Sequence, residues 1–372
     1  MCREMENRRV IFTATFLCLL LPELFAVANA EEFGDVPITP AMFIFGDSLI
    51  DNGNNNYLLS IAKANYYPYG IDVGGPTGRF CNGLTVVDYG ARHLGLPLIP
   101  PYFSITSFGK HILRGINYAS AAAGILEETG RTYGQRTTLS GQVSQFQETL
   151  TLKLALLFES PDALSQYLAK AVFLVDIGGN DYLNNYLQPD RYASSRLYSP
   201  ESYADLLRDT LATQITRLYN LGARKFVLAG TGPLGCIPVY LSRSSDGSCL
   251  QNVNNLIILF NDRLIQLTNT LNNSLPGSFF VYHNTYNIVD DMVHNPSTYG
   301  FTTSNKACCG NGRNGGELTC LPLQAPCPER DRYLFWDSFH PTQAANAIIA
   351  RRAYSQNAID CTPISIYQLA QL

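Results

Sequence analysis

Five short runs rich in β-branched and aromatic residues, at positions 42–45, 116–119, 171–177, 225–229 and 279–283, recur between longer segments of helical periodicity. They read as buried strands. The segments at 84–94, 143–158, 203–221 and 253–271 read as helices, and a last one at 341–354 closes the chain. In the third of these, Tyr203, Leu206, Leu207, Leu211, Ile215 and Leu218 share one face. Parallel strands need a long connection, and a helix supplies it while covering the sheet. The alternation therefore predicts an α/β fold: a three-layer α/β/α arrangement on a five-stranded parallel sheet, with the flavodoxin-like order 2-1-3-4-5 as the default. Long polar stretches at 184–200 and 302–330 are expected to be loops on this frame.

The first 30 residues stand outside the pattern. Arg3, Arg8 and Arg9 precede an apolar run at 10–21, and Ala28-Asn29-Ala30 supplies small residues for cleavage, which predicts a secretory signal peptide and a single domain over 31–372. The run is shorter than the ~20 apolar residues of a bilayer span, and Pro22 and Glu23 interrupt it. No later stretch is long enough to cross a membrane. The chain carries 26 basic and 30 acidic residues, three of each in the leader, so the net charge of −4 survives cleavage and gives no reason to expect nucleic acid as a partner.

Beyond the leader lie eight cysteines: Cys81, Cys236, Cys249, Cys308, Cys309, Cys320, Cys327 and Cys361. An even number in a secreted chain predicts disulfides, with connectivity open. Zinc binding by the cluster at 308–327 would call for a C-x₂-C pair or a nearby H-x₃-H, and neither is present. Asn272-Asn273-Ser274 makes Asn272 a glycosylation acceptor, whereas Pro296 excludes Asn295.

In doubly wound sheets sites form at the carboxyl ends of the strands. Gly46-Asp47-Ser48 follows the first run, Ser120-Ala121-Ala122-Ala123-Gly124 the second, and Gly178-Gly179-Asn180-Asp181 the third. A serine after a strand can simply cap a helix. Ser48 differs because it precedes the run Asp51-Asn52-Gly53-Asn54-Asn55-Asn56, whose glycine and asparagines suit the left-handed backbone of a tight loop. A serine nucleophile needs a histidine oriented by a carboxylate. His340 follows Asp337 by three residues, although Asp337 or Ser338 can equally cap a helix that has Pro341 at its first position. His93 falls in a helical segment, His111 in a polar turn and His283 at a strand end with no carboxylate nearby, so His294, after Asp290 and Asp291, is the reserve base. Asn180 is placed to donate to an oxyanion. Ile50 rules out G-x-S-x-G, so the nucleophile turn of the common α/β-hydrolases is absent.

The ordered blocks Gly46-Asp47-Ser48, Gly115-Ile116-Asn117-Tyr118-Ala119-Ser120, Gly178-Gly179-Asn180-Asp181 and Asp337-Ser338-Phe339-His340-Pro341-Thr342 together resemble the GDSL or SGNH hydrolases, above all the plant-type GDSL esterase/lipase group. The resemblance spans nearly all of the chain beyond the leader. It implies Ser48 as nucleophile, His340 as general base, Asp337 as its orienting carboxylate and Asn180 as an oxyanion donor, with no metal or organic cofactor. The family's glycine pair after Ala-Ser is replaced here by Ala121-Ala122-Ala123 before Gly124, so Ala122 and Gly124 are both candidates for the backbone donor. The implied activity is hydrolysis of a small-molecule or polymer-linked ester through an acyl-serine, with lipid degradation as one use. Two further readings share the frame. One is a catalytically silent extracellular protein that binds carbohydrate or lipid in a tyrosine-lined groove, the chain having 22 tyrosines. The other is an acyltransferase in which an alcohol takes the place of water.

Overall fold

The computed structural model describes residues 37–104 and 109–372, so the expected signal peptide lies outside the described residues. Strands β1 (Met42–Gly46), β2 (Val172–Asp176), β3 (Lys225–Ala229) and β4 (Phe279–His283) pair in parallel in that order and in continuous register. Successive side chains on a strand point to opposite faces. Phe43, Phe45, Phe173, Phe226 and Phe280 fill one face, beneath helices Leu139–Leu152, Pro200–Asn220 and Gln251–Ser274. Met42, Ile44, Val172, Leu174, Val227 and Val281 fill the other, beneath Val86–His93, Gln343–Ala353 and Ile366–Gln371. Both faces are thus dry, which is why the strands read as unbroken apolar runs.

The run at 116–119 lies against β1 on the side away from β2. Ile44 N–H donates to Ile116 O (3.1 Å), Tyr118 N–H to Ile44 O (2.8 Å) and Ser120 N–H to Gly46 O (3.0 Å). In order of sequence the five runs therefore stand as 2-1-3-4-5. The second makes isolated bridges rather than a regular strand, because the Gly46 N–H that would carry the next rung of the ladder to Tyr118 O goes instead to the Gln142 side chain (2.8 Å). A short strand, Cys361–Thr362, pairs antiparallel with β4 at the far edge. The expectation of an all-parallel sheet is corrected at that edge to a mostly parallel one.

Hydroxyl caps fix where the helices begin. Thr138, Ser160 and Ser199 each accept a backbone N–H three residues on. The last long helix starts at Gln343, with Thr342 as its cap, so Pro341 precedes the helix and neither Asp337 nor Ser338 caps it. The stretch at 302–330 is not all loop: Thr303–Ala307 pairs with Tyr333–Phe335, and Gly310–Asn311 with Leu318–Thr319. Disulfides Cys308–Cys327 and Cys309–Cys320 staple this segment, and Cys236–Cys249 closes a third loop. The expected disulfides thus take six of the eight cysteines, and Cys81 and Cys361 are buried thiols. Among the described residues no helix is long and apolar enough to cross a membrane.

The Asn272 side chain is a clasp in the folded chain. Its Nδ2–H donates to Phe280 O (2.9 Å) and its Oδ1 accepts Phe280 N–H (2.8 Å), tying the end of helix Gln251–Ser274 to β4. Phe280 is fully buried, and backbone groups left unpaired in such a place cost about 1–3 kcal/mol. Asn272→Ala is therefore expected to lower the unfolding free energy by about that amount, as read from the denaturant midpoint.

Candidate active site

The backbone of Gly46, at the end of β1, is held on both sides by the Gln142 side chain: Nε2–H donates to Gly46 O and Oε1 accepts Gly46 N–H, each at 2.8 Å. Gly46 is obligatory, since a Cβ there would lie 2.3 Å from Asp176 O. The chain then turns, Asp47 Oδ1 accepting Leu49 N–H (3.0 Å), and presents Ser48 at the edge of the sheet. The run at 51–56 does more than turn. Only Gly53 within it has a positive φ, 126°, and the asparagines keep ordinary backbone angles. Their side chains instead clamp the neighbouring segment. Asn54 Nδ2–H donates to Asn117 O (2.9 Å) and Ala119 O (2.7 Å). Asn55 Oδ1 accepts from the Ser120 hydroxyl (2.7 Å) and Ala121 N–H (3.0 Å). Asp51 accepts from the N–H groups of Gly53, Asn54 and Ala121 at 2.6–3.1 Å. Burial pushes its carboxyl up to about 6 against the pull of those same bonds.

Ser48 Oγ lies 2.8 Å from His340 Nε2, across 292 residues of sequence. On the other side of the ring, Nδ1 is 2.8 and 2.9 Å from the two oxygens of Asp337. An ionised carboxylate only accepts, so the proton sits on Nδ1 and leaves Nε2 as the acceptor facing the serine hydroxyl. The local turn sets this up: Asp337 Oδ1 also accepts the N–H groups of Phe339 and His340, each at 2.8 Å, which folds the carboxylate back onto the imidazole. Asp337 is fully buried. Burial alone would raise its carboxyl, but the adjacent His340 and the hydrogen bonds it receives hold it below the ordinary carboxylate value. A serine so arranged can lose its proton to Nε2 as it attacks a carbonyl.

Asn180 follows β2 in the short helical turn Gly179–Asp181 and lines the cavity that Ser48, Ala122 and His340 also line. One amide hydrogen is committed to Ala123 O (2.9 Å), and Oδ1 accepts from Asn184 (2.6 Å), so the side chain is fixed while its second N–H remains to be used. Of the alanine turn, Ala121 N–H is taken by Asp51 and Asn55, and Ala123 N–H by Ser120 O. Ala122, with φ 64°, is the one whose amide has no protein acceptor among the described residues. Gly124 stands behind the site, where a Cβ would lie 2.3 Å from Thr129 and 2.7 Å from Asp181, and it does not line the cavity. Asp181 holds this loop by accepting from Ile125 N–H, Leu126 N–H and the Thr129 hydroxyl at 2.7–3.1 Å.

Three further side chains support the relay, of which Tyr69 and Phe80 carry no local signal in the sequence. The Tyr69 hydroxyl donates to Asp337 Oδ2 at 2.5 Å from 268 positions away. Phe80 packs its ring on His340, with centroids 5.0 Å apart. Trp336 is fully buried against Tyr69, and its backbone joins the site to the stapled loop: Cys309 N–H donates to Trp336 O (2.7 Å), and Trp336 N–H to His340 O (2.8 Å). The other histidines stay apart. His294 is exposed and bonded to Asp290 O (2.8 Å), away from the Ser48 cavity. His283 is buried at the end of β4, where loss of water drives its pKa down to about 4.

Comparison with known proteins places this geometry in context. The family described as GDSL-like Lipase/Acylhydrolase matches residues 42–353. "GDSL esterase/lipase 7" of Arabidopsis thaliana is 59% identical over 359 residues, covering 96% of this chain and 99% of that protein. "GDSL esterase/lipase At1g29670" from the same plant is 51% identical over 351 residues, covering 94% and 95% respectively.

Two measurements follow from the site's energetics. Ala122 is a non-glycine residue in the left-handed region, which costs about 1–2 kcal/mol. Ala122→Gly is expected to raise the unfolding free energy by about 1 kcal/mol, and Ala122→Val to lower it, both read from denaturant midpoints. The second concerns Asp47 and Asp176, which lie at the ends of neighbouring strands. Burial pushes Asp47 up to about 8, with Asp176 adding to it, and burial also raises Asp176. In the unfolded chain such carboxyls titrate near 4. As pH rises from about 4 to about 8, the unfolded state loses these protons first, so their contribution to stability is full at the acidic end and declines towards the basic end. Asp176→Asn is expected to flatten that decline in thermal melts, and an unchanged slope would refute the assignment.

Proposed function

The chain belongs to the GDSL-like lipase/acylhydrolase family and hydrolyses ester bonds, and from that premise we propose that Ser48 is its nucleophile in a secreted, single-domain enzyme that works through an acyl-serine. His340 is the general base, Asp337 holds its tautomer, and Asn180 Nδ2–H with Ala122 N–H form the oxyanion donors. The observation that carries the reading is the continuous relay from Ser48 Oγ through His340 to Asp337, with each step at 2.8–2.9 Å. Its parts come from opposite ends of the chain, and a helix-capping serine would have no need of them.

In the first half-reaction Ser48 Oγ forms a bond to the acyl carbon as its proton passes to Nε2. The C–O bond of the ester then breaks, and the same proton goes to the departing alkoxide. In the second half, water gives its proton to Nε2, its oxygen attacks the acyl carbon, and Ser48 leaves with the proton returned. Acyl lipids are among the esters this chemistry serves, and lipid degradation is the proposed use. Cleavage after Ala30 would deliver the domain from residue 31 onwards to an oxidising compartment, the setting in which its three described disulfides persist.

Labelling with a fluorophosphonate probe and hydrolysis of p-nitrophenyl acetate test the mechanism together. Ser48→Ala is expected to abolish labelling and to lower kcat/KM by about 10⁴-fold or more. A Ser48→Ala protein that still takes the probe, or that cleaves the ester undiminished, would sink the assignment.

A further inference from the structure

The Ser48 cavity continues past the nucleophile into a shallow groove formed by residues 58–63 and 132–134, and Ile61, Lys63 and Tyr133 line both spaces. Backbone bonds hold the two walls of the groove together: Ile61 N–H donates to Tyr133 O (2.9 Å), and so does the Ser60 hydroxyl (3.1 Å). Lys63 is half-buried here. Its ammonium donates to Asn56 O (3.1 Å) and makes no ion pair among the described residues, which leaves further N–H donors of the same group unused by the protein. The one carboxylate lining the Ser48 cavity is Asp337, and it is turned to Nδ1 of His340, on the side of the ring away from the serine. More positive charge stands close by. Burial raises the Tyr133 phenol, while the guanidinium groups of Arg191 and Arg243 oppose that rise, so both lie within electrostatic reach of the same wall. Both arginines are exposed, and neither makes an ion pair among the described residues. A chain of net charge −4 thus gathers unpaired cations at the entrance to its nucleophile.

We propose that this entrance selects esters that carry an anionic group: Lys63 binds the anion directly, and Arg191 and Arg243 draw it in. The proposal rests on the Ser48 mechanism above and adds the charge of the substrate to it. An anion that reaches Lys63 gains a charge-assisted hydrogen bond from an ammonium whose direction is already fixed by Asn56 O. Because Lys63 is half-buried, that bond is screened less than one between groups in open water. The two arginines act over a longer range, by raising the local concentration of an anionic substrate at the mouth. A neutral ester gains from neither effect.

Two matched pairs of esters test this. One pair carries the charge in the alcohol half, 4-acetoxybenzoate against methyl 4-acetoxybenzoate, and the other carries it in the acyl half, mono-p-nitrophenyl adipate against p-nitrophenyl hexanoate. The quantity to measure is the ratio of kcat/KM, anionic over neutral, within each pair. In at least one pair Lys63→Met is expected to lower the ratio about tenfold, mainly through KM, and Lys63→Arg to keep it close to that of the unaltered protein. The pair that responds identifies the half of the ester that faces Lys63. In the unaltered protein the same ratio is expected to fall as salt rises from about 0.1 M to about 1 M, which shortens the screening length from about 10 Å to about 3 Å. A loss of activity that is equal for both members of each pair is what a purely structural role of Lys63 would give. Ratios unmoved by Lys63→Met in both pairs, or unmoved by salt, overturn the proposal and leave the Ser48 mechanism standing. If the unaltered protein cleaves none of these esters and takes no fluorophosphonate, the mechanism falls, and calorimetric binding of the same pairs to Ser48→Ala protein decides the entrance by itself. An anionic ester bound more tightly than its neutral partner, with the difference lost when Lys63→Met is added, supports it, and equal binding within both pairs overturns it.

Discussion

Asp337 is wholly buried and accepts from four groups: the Tyr69 hydroxyl, the N–H groups of Phe339 and His340, and the imidazole of His340. A carboxylate out of water is costly unless such donors surround it. Each donor here also fixes a separate part of the fold. Tyr69 brings in the segment after the nucleophile loop, the two backbone amides make the turn that folds Asp337 under the ring, and His340 reaches Ser48. The disulfides Cys308–Cys327 and Cys309–Cys320 stand directly behind, because Cys308 and Cys309 donate their N–H groups to Phe335 and Trp336. The covalent staples therefore brace the strand that presents the carboxylate. The stapled segment and the turn that carries Asp337 are joined through two backbone hydrogen bonds.

The sheet was legible in the sequence because burial on both faces leaves an unbroken apolar signature. The runs at 225–229 and 279–283 coincide with β3 and β4. The run at 116–119 lies beside β1 as expected, yet its pairing is cut short by one side chain, Gln142, which takes the Gly46 N–H and whose effect no hydrophobic pattern encodes. Cys361–Thr362 is two residues long and so carries no period at all. Ser48, Asp337, His340 and Asn180 could be picked out because each sits in a short block whose residue types suit its chemistry. Tyr69 could not, since its partner is 268 positions away and tyrosine is common in this chain. The asparagine run was read as backbone punctuation. It is a set of buried side-chain donors, since a short polar side chain beside exposed strand ends can satisfy carbonyls that no neighbouring strand reaches.

The alanine turn shows how the site tolerates a departure from the family's glycine pair. Ala122 adopts φ 64°, a conformation glycine would take without steric cost. Its surroundings impose the angle. Ala121 is pinned by Asp51 and Asn55, Ala123 by Ser120, and Ala122 O lies so close to Gly130 that a Cβ at Gly130 would be 1.9 Å away. Strain at one residue persists where its neighbours over-determine it. The strained residue also lines the cavity, and its amide has no protein acceptor among the described residues.

Fixing the serine from one side leaves the other side open to specialise. On one flank, Asn180 and the 51–56 clamp fix the second block beside Ser48 through polar bonds that tolerate little movement. On the opposite flank the serine's neighbours are Leu49 and, across the gap, Phe339, which make no side-chain hydrogen bonds and border an apolar space. A rigid polar wall serves the carbonyl carbon and its oxygen, where displacement by a fraction of an ångström weakens catalysis.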